Sequence, residues 1–444
     1  MRAQPERAYL VAVEQDQDES LWSVEDSLQE LGTLARTAGA QVVGSMIQRL
    51  RHPDSTTYLG KGKVQELSDL EKSVGFDLVI VDDELSPSQQ HNLEKQLQAR
   101  VLDRTALILD IFAQHARTRE GRLQVELAQL EYRLPRLAGF GVDLSRQSGG
   151  SRSAGPGGAG GAIGVRGPGE TKLEMDRRRI RGRISELREE IEAVREQRKI
   201  HRQQRAEKVM AVVAVVGYTN SGKSTLFNAL TSADVLAENK LFATLDPTTR
   251  HLTLPNNQEA LLTDTVGFIQ KLPTKLIAAF RATLEEVIEA DLLLEVVDVV
   301  HENAIEQSET VSEILRSLDA GDKPRVTALN KIDLLEDGAD VDTTLYANAV
   351  PISALQQRGL DELRAKIAEV LAKNMEELQV VIPYAQGDLV ELFHRRGHVL
   401  REEHRPEGTF LEGRLPRSLC GYVRHFSLSA TAPESPSTRN GRAE

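Results

Sequence analysis

Cys420 is the only cysteine in the 444 residues, so a disulfide framework is excluded and a reducing compartment is expected. No run of 18 apolar residues and no N-terminal apolar leader core occur, which leaves no sequence basis for a membrane span or a secretory signal. A cytoplasmic protein without membrane insertion is therefore expected. Positive charge is also short: 55 Lys and Arg stand against 67 Asp and Glu, a net charge of -12, so any nucleic-acid contact must come from a local patch. What is present in quantity is hydrophobic residue, 40% of the chain, enough for several cores and three or four domains, and a monomer is expected.

The most informative stretch runs from Gly217 to Leu355. Gly217-Tyr218-Thr219-Asn220-Ser221-Gly222-Lys223-Ser224 follows the apolar run Val212 to Val216 and precedes the helix-prone Thr225 to Leu230. Two glycines let such a loop wrap its backbone N–H groups around α- and β-phosphates at a helix N-terminus. Lys223 neutralises β/γ charge there, and Ser224 is a magnesium ligand. Forty residues beyond Ser224, the strand-like Leu261-Leu262-Thr263 ends in Asp264-Thr265-Val266-Gly267. Asp264 is expected in the magnesium second shell and the Gly267 N–H at the γ-phosphate.

The base is chosen by Asn330-Lys331-Ile332-Asp333, after the strand-like Arg325 to Leu329. A buried Asp333 carboxylate accepts from guanine N1–H and N2–H₂; adenine lacks that donor pair, and an unsatisfied buried polar group costs about 1–3 kcal/mol. Ser353-Ala354-Leu355, after a strand over Ala347 to Ile352, closes on the base with a backbone N–H to O6. These parts predict a P-loop GTPase using Mg²⁺ and GTP/GDP, with Lys223 and Gly267 as the residues closest to catalysis.

The first hundred residues alternate strands and helices: Tyr9 to Val13, Leu21 to Thr37, Gln41 to Ile47, Val64 to Val74 and Phe76 to Val81, a βα repeat implying a small, mostly parallel sheet. Asp82-Asp83-Glu84 suggests a metal site, but Ser86 as N-cap with Pro87 at N1 of the next helix is the preferred reading. Tyr58-Leu59-Gly60-Lys61-Gly62-Lys63 ends a strand and starts a helix, with two lysines within reach of a phosphate backbone. Two long helices follow, Arg117 to Leu137 and Leu173 to about Lys208. Ile180, Ile184, Leu187, Ile191 and Val194 form a narrow stripe on the second, which a hairpin partner would cover. Between them lies the Gly-rich Ser148 to Gly169.

From Arg146 through Arg183, nine Lys or Arg face three Asp or Glu, a local balance of +6. Arg166, Lys172, Arg177, Arg178, Arg179 and Arg181 are the candidate RNA contacts, since glycines allow close approach to phosphates and stacked bases. A solvated helix face is the other reading of that arginine run. The division expected is an N-terminal α/β domain over 1–115, a helical hairpin with a basic Gly-rich loop (about 146–172) over 116–208, a G domain over 209–373, a small C-terminal α+β domain over 374–428 and a disordered tail over 429–444. Within the C-terminal part, Gln386 to Arg396 reads as helix, Gly408 to Arg414 as strand, and Asn374 to Glu377 as the end of the G domain.

Gly160-Gly161-Ala162-Ile163-Gly164-Val165-Arg166-Gly167-Pro168-Gly169-Glu170-Thr171-Lys172-Leu173-Glu174, followed by Asp176-Arg177-Arg178-Arg179-Ile180, resembles the glycine-rich signature of the HflX family of ribosome-associated GTPases. Asp103-Arg104-Thr105, Leu109 to Ala113, Gly121 to Leu130, the nucleotide loop and Phe242-Ala243-Thr244-Leu245-Asp246-Pro247-Thr248-Thr249-Arg250 resemble the same family. Ala162, Lys172 and Met175 depart from its pattern. The resemblance implies a GTPase that binds the large ribosomal subunit and its rRNA, with the hairpin and Gly-rich loop reaching toward the tRNA sites, and that splits or rescues stalled ribosomes under stress. It implies Thr244, twenty residues after Ser224, as the switch threonine that ligates Mg²⁺ beside Phe242 and Ala243, and the loop after Gly267 as the second switch. Asn220 resembles the asparagine of potassium-stimulated GTPases, which implies K⁺ beside the phosphates.

Phe268 stands where Ras-like enzymes place a glutamine that orients water, and a phenyl ring cannot do that. Slow intrinsic turnover, completed by the ribosome, is the consequence. A second reading is a GTP-gated rRNA-binding assembly factor in which hydrolysis is only a slow reset. An ATP-driven RNA remodeller has little behind it, since no second P-loop occurs.

Overall fold

The computed structural model describes residues 5–15, 22–147, 168–205, 210–231, 241–242, 248–255, 259–272, 284–335, 341–373 and 375–427. The expected switch residues Ala243 and Thr244, the basic Arg166 and the tail from 428 onward lie outside them.

The N-terminal sheet has the order β2-β1-β3-β4, from β1 (Arg7–Gln15), β2 (Gln41–Leu50), β3 (Leu78–Val81) and β4 (Arg100–Asp103). All three pairings are parallel. The crossovers are helices Val24–Thr37, Lys61–Val74 and Pro87–Leu97. A parallel sheet is covered on both faces, which is why β3 is the unbroken apolar run Leu-Val-Ile-Val, buried throughout. Ser86 caps Pro87–Leu97 in a capping box with Gln89, so the polar cluster beside it starts a helix. Asp82 and Asp83 are taken up by ion pairs instead of a metal: both meet Lys271, and Asp82 also meets Arg104.

Helices Arg119–Gln147 and Pro168–Arg205 form the hairpin. Arg119 pairs with Glu190 while Glu126 pairs with Arg183, so they run antiparallel. Ile184, Leu187 and Ile191 bury the expected stripe against Leu123 and Leu127.

The six-stranded sheet has the order β10-β9-β8-β5-β7-β6, made of β5 (Ala211–Gly217), β6 (Thr248–Thr253), β7 (Glu259–Asp264), β8 (Leu292–Asp298), β9 (Arg325–Asn330) and β10 (Val350–Pro351). Only the β6–β7 pairing is antiparallel. The strand expected over Ala347 to Ile352 shrinks to two residues: Asn348 adopts φ 48°, which breaks the extended run, although Ala347 O still accepts from Thr327 N–H and Ile352 N–H donates to Leu329 O of β9.

A three-stranded antiparallel sheet closes the described chain, β11 (Met375–Ile382), β12 (His398–Arg405) and β13 (Gly408–Pro416), in the order β11-β13-β12. The Met375 to Glu377 stretch, expected to end the preceding unit, is thus the start of a strand. Its glutamates pair with Arg414 and Arg424. Among the described residues, no helix is long and apolar enough to cross a membrane.

The apolar core of the N-terminal sheet does not end at that sheet. Leu107, Ile111 and Phe112 share one buried cluster with Phe242, Phe268 and Ile269 of the P-loop unit.

Candidate nucleotide-binding site

Gly217, Asp264, Asp298, Asn330 and Pro351 are the last residues of β5, β7, β8, β9 and β10. All five strands are parallel, so their carboxyl ends meet on one edge, where open α/β sheets bind ligands. Tyr218 to Gly222 form the loop after β5, and helix Lys223–Thr231 starts from it, carrying Ser224 and Thr225 in its first turn. A helix N-terminus presents N–H groups and the positive end of its dipole to an anion in the loop.

Two glycines are demanded by close approach. Gly222 has φ 97°, and a Cβ on it would lie 2.3 Å from Asn330 Nδ2. A Cβ on Gly267 would lie 2.9 Å from Lys223 Nζ and 3.0 Å from Thr219 Cα. The chain after β7 is drawn against the loop by two backbone bonds: Thr219 N–H donates to Phe268 O at 2.8 Å, and Phe268 N–H to Gly217 O at 3.0 Å. Thr265 Oγ1 donates to Val215 O at 2.6 Å, fixing the exit from β7 to the neighbouring strand. Val266 is buried beside it.

Lys223 is 7% exposed, and its ammonium donates to Tyr218 O at 2.6 Å. Burial pushes that ammonium down to about 8, against the opposing pull of Asp264. Ser224 Oγ donates to Asp264 Oδ2 at 2.9 Å, which brings the hydroxyl and the carboxylate of the expected magnesium pair together.

On the base side, Asn330 acts as a clamp. Its Nδ2 donates to Ser221 O at 2.9 Å, and its Oδ1 accepts from Ala354 N–H at 2.9 Å, tying the nucleotide loop to the segment after β10. Of the segment expected to offer a backbone N–H to guanine O6, the Ala354 N–H is occupied by Asn330 here. Ser353 is buried, whereas Leu355 is 77% exposed. Lys331 takes φ 71° and pairs with Asp298 Oδ2 at 2.6 Å, so the end of β8 orients the lysine that follows β9. Asp333 sits in a short 3-10 turn, Ile332–Leu334, and is half-buried rather than buried.

Other expected residues go elsewhere. The Phe242 ring packs edge-on against Phe112 at 4.6 Å, inside the shared core. Phe268 is 2% exposed with its ring in the same core, so it does not face the phosphates. Arg178, Arg179 and Arg181 are exposed on the hairpin and Arg177 is half-buried; the side chain of Lys172 is outside the described residues. Sequence reasoning missed Asp298, although its place at the end of an apolar strand on the same edge is a usable signal. It also missed the Tyr218 side chain, whose hydroxyl leaves the loop to donate to Glu30 of the N-terminal unit.

Three family regions match in order: "GTP-binding GTPase N-terminal" over residues 25–113, "GTP-binding GTPase Middle Region" over 115–205 and "50S ribosome-binding GTPase" over 212–331. GTPase HflX of Caldanaerobacter subterraneus subsp. tengcongensis is 46% identical over 424 residues, covering 96% of this chain and 94% of its own. GTPase HflX of Escherichia coli is 40% identical over 423 residues, covering 94% of this chain and 96% of its own. Among solved structures, a GTP-binding protein of the hyperthermophilic archaeon Sulfolobus solfataricus in complex with GDP is 26% identical, covering 83% of this chain and 99% of its own at a TM-score of 0.41. The P-loop, the Asp264 and Asn330 segments beside it and relatives matching nearly end to end have one reading: the chain belongs to the HflX family of GTPases.

Proposed function

We propose that this GTPase binds the large ribosomal subunit in the cytoplasm and splits or rescues stalled ribosomes under stress, with hydrolysis stimulated by the ribosome. The observation that carries the partner is the hairpin: in a chain of net charge -12, it exposes Arg178, Arg179 and Arg181 beside a glycine-rich stretch. Such a patch suits phosphate contacts. The match over 212–331 to a region described as 50S ribosome-binding GTPase points to the same partner.

In the nucleotide site, the Gly217 to Ser224 loop with Thr225 cradles the phosphates, Gly267 presents its N–H to the γ-phosphate, and Asp333 reads guanine. Ser224 and Thr244 would hold Mg²⁺, with Asp264 in its second shell. The 2.9 Å pairing of Ser224 Oγ with Asp264 fits a hard cation that keeps oxygen ligands. Mg²⁺, when bound, offsets charge on the β- and γ-oxygens. Asn220, in the left-handed region at φ 61° on the loop, is the residue we assign to K⁺. The Phe268 ring is buried in the apolar core, which supports an outside group completing the water site.

Steady-state GTP hydrolysis with and without large ribosomal subunits, in potassium and in sodium, tests this, with Lys223→Ala as the inactive control. Stimulation of about tenfold or more, equivalent to about 1.4 kcal/mol of barrier, is expected in potassium. Fast basal turnover that subunits leave unchanged would remove the ribosome as the partner.

A further inference from the structure

Asp298 ends β8 on the nucleotide edge, and none of the sequence motifs accounts for it. It lies beside Asn330 in the β8–β9 register, and the two strand ends are joined again just beyond, where Val299 N–H donates to Asn330 O at 3.2 Å. Only 9% of Asp298 is exposed, and its two oxygens serve different ends. Oδ1 accepts from Val300 N–H at 3.2 Å, a local turn that would suit any strand end. Oδ2 accepts from Lys331 Nζ at 2.6 Å, which reaches across to the residue after β9.

Lys331 is where the chain changes direction toward the base. Its φ of 71° lies in the left-handed region, which a residue with a Cβ enters only at a cost in backbone energy. Its carbonyl accepts from Leu334 N–H at 3.0 Å, so the same residue opens the 3-10 turn Ile332–Leu334 that carries Asp333. The preceding Asn330 spends its side chain elsewhere, on Ser221 O and Ala354 N–H. The half-buried ion pair to Asp298 is therefore the side-chain contact that ties Lys331 to the sheet, and water and salt screen it less than a pair on the open surface. With the lysine side chain anchored on β8, its backbone is held in the turn that sets the place of Asp333, two residues on.

We propose that Asp298 is a positioning residue for base selection: through Lys331 it holds the left-handed turn that sets Asp333 against the N1–H and N2–H₂ donors of guanine, and so raises the preference for guanine over a purine lacking one of those donors. The proposal rests on Asp333 reading guanine, deepens that reading, and is independent of the ribosome. Hypoxanthine keeps N1–H and O6 and lacks only the N2 amino group. Inosine diphosphate against GDP thus isolates one hydrogen bond to Asp333, and a site built around that bond rejects the analogue only while the carboxylate is in place. Contacts to the phosphates and the ribose are common to both nucleotides. A strand end that merely supported the fold would weaken the two alike.

The test uses full-length protein. Dissociation constants for GDP, inosine diphosphate and ADP are measured by calorimetry in wild type, Asp298→Asn, Lys331→Met and the double variant. The ratio of inosine diphosphate to GDP constants should fall about fivefold or more in each single variant, within the usual coupling of residues that share an ion pair. In the double variant it should equal that of Lys331→Met, because Asp298 acts through that lysine. A ratio unchanged in Asp298→Asn, an equal loss of both nucleotides, or a further fall when Asp298→Asn is added to Lys331→Met overturns the proposal. If Asp298→Asn does not fold, as judged by thermal melting, Lys331→Met decides alone, and a wild-type ratio in it overturns the proposal. Wild-type protein that binds inosine diphosphate and ADP as tightly as GDP would instead refute the reading of guanine by Asp333.

Discussion

Lys223 is held almost out of water on the carbonyl of Tyr218, and burial lowers its ammonium to about 8 despite Asp264. A phosphate beside it favours the charged form, so the nucleotide complex keeps a proton that the nucleotide-free protein gives up above pH 8. Binding then takes up a proton in that range. GDP affinity, measured without added metal, should be flat below about pH 7 and fall by up to tenfold per pH unit above about 8. Calorimetry in two buffers of different ionisation enthalpy checks this by counting the proton directly; no uptake at pH 9 would show Lys223 still charged. Lys223, Ser224, Asp264 and Asn330 were all legible in the sequence because each sits in a short motif at a strand end. The destination of Tyr218 was not: the loop pattern places its backbone, while its hydroxyl partner Glu30 lies 188 residues away, and no local spacing encodes that distance.

At the scale of elements, the hairpin is the simplest case, since its two helices meet along one stripe that helical periodicity already reveals. Leu187 is fully buried in that stripe, among Leu123, Leu127, Ile184 and Ile191. Leu187→Ala should cost about 2–5 kcal/mol, and with so narrow a seam the loss falls on the hairpin rather than the sheets. Hydrogen exchange checks it: amides of 119–135 and 175–194 should exchange faster while those of β5 and β8 keep their protection. Equal loss in both places would mean that the hairpin and the sheets open together. The sheet elements were less legible. β11 begins with Met-Glu-Glu, which reads as the end of the preceding unit until β13 is there to pair with it. β10 is cut short by a backbone turn at Asn348 that an apolar pattern does not announce.

For the whole molecule, composition and length argued for separate domains, each with its own core, and here two of them share one. Phe112 is 2% exposed, on the helix after β4, and its ring meets Phe242 at 4.6 Å and 76°. Leu107 and Ile111 from the same helix join Phe268 and Ile269 from the chain beyond β7 in that cluster. Sequence could mark each of these residues as apolar, but which sheet's core a residue joins depends on docking, which periodicity does not report. A shared core makes the two units lean on each other for stability, unlike domains that touch through a mostly polar surface. Phe112→Ala should therefore cost about 3–5 kcal/mol, and part of that cost should appear across the interface. Hydrogen exchange of β5 and of the 259–272 segment is the deciding measurement, because neither touches the first sheet by backbone pairing. Faster exchange there, together with coincident urea transitions by Trp22 fluorescence and far-UV circular dichroism, is expected if the core is a single cooperative unit. Exchange that rises only in residues 104–115 would mean that the units are stable apart, with the charged network through Asp82 and Lys271 alone keeping them in register.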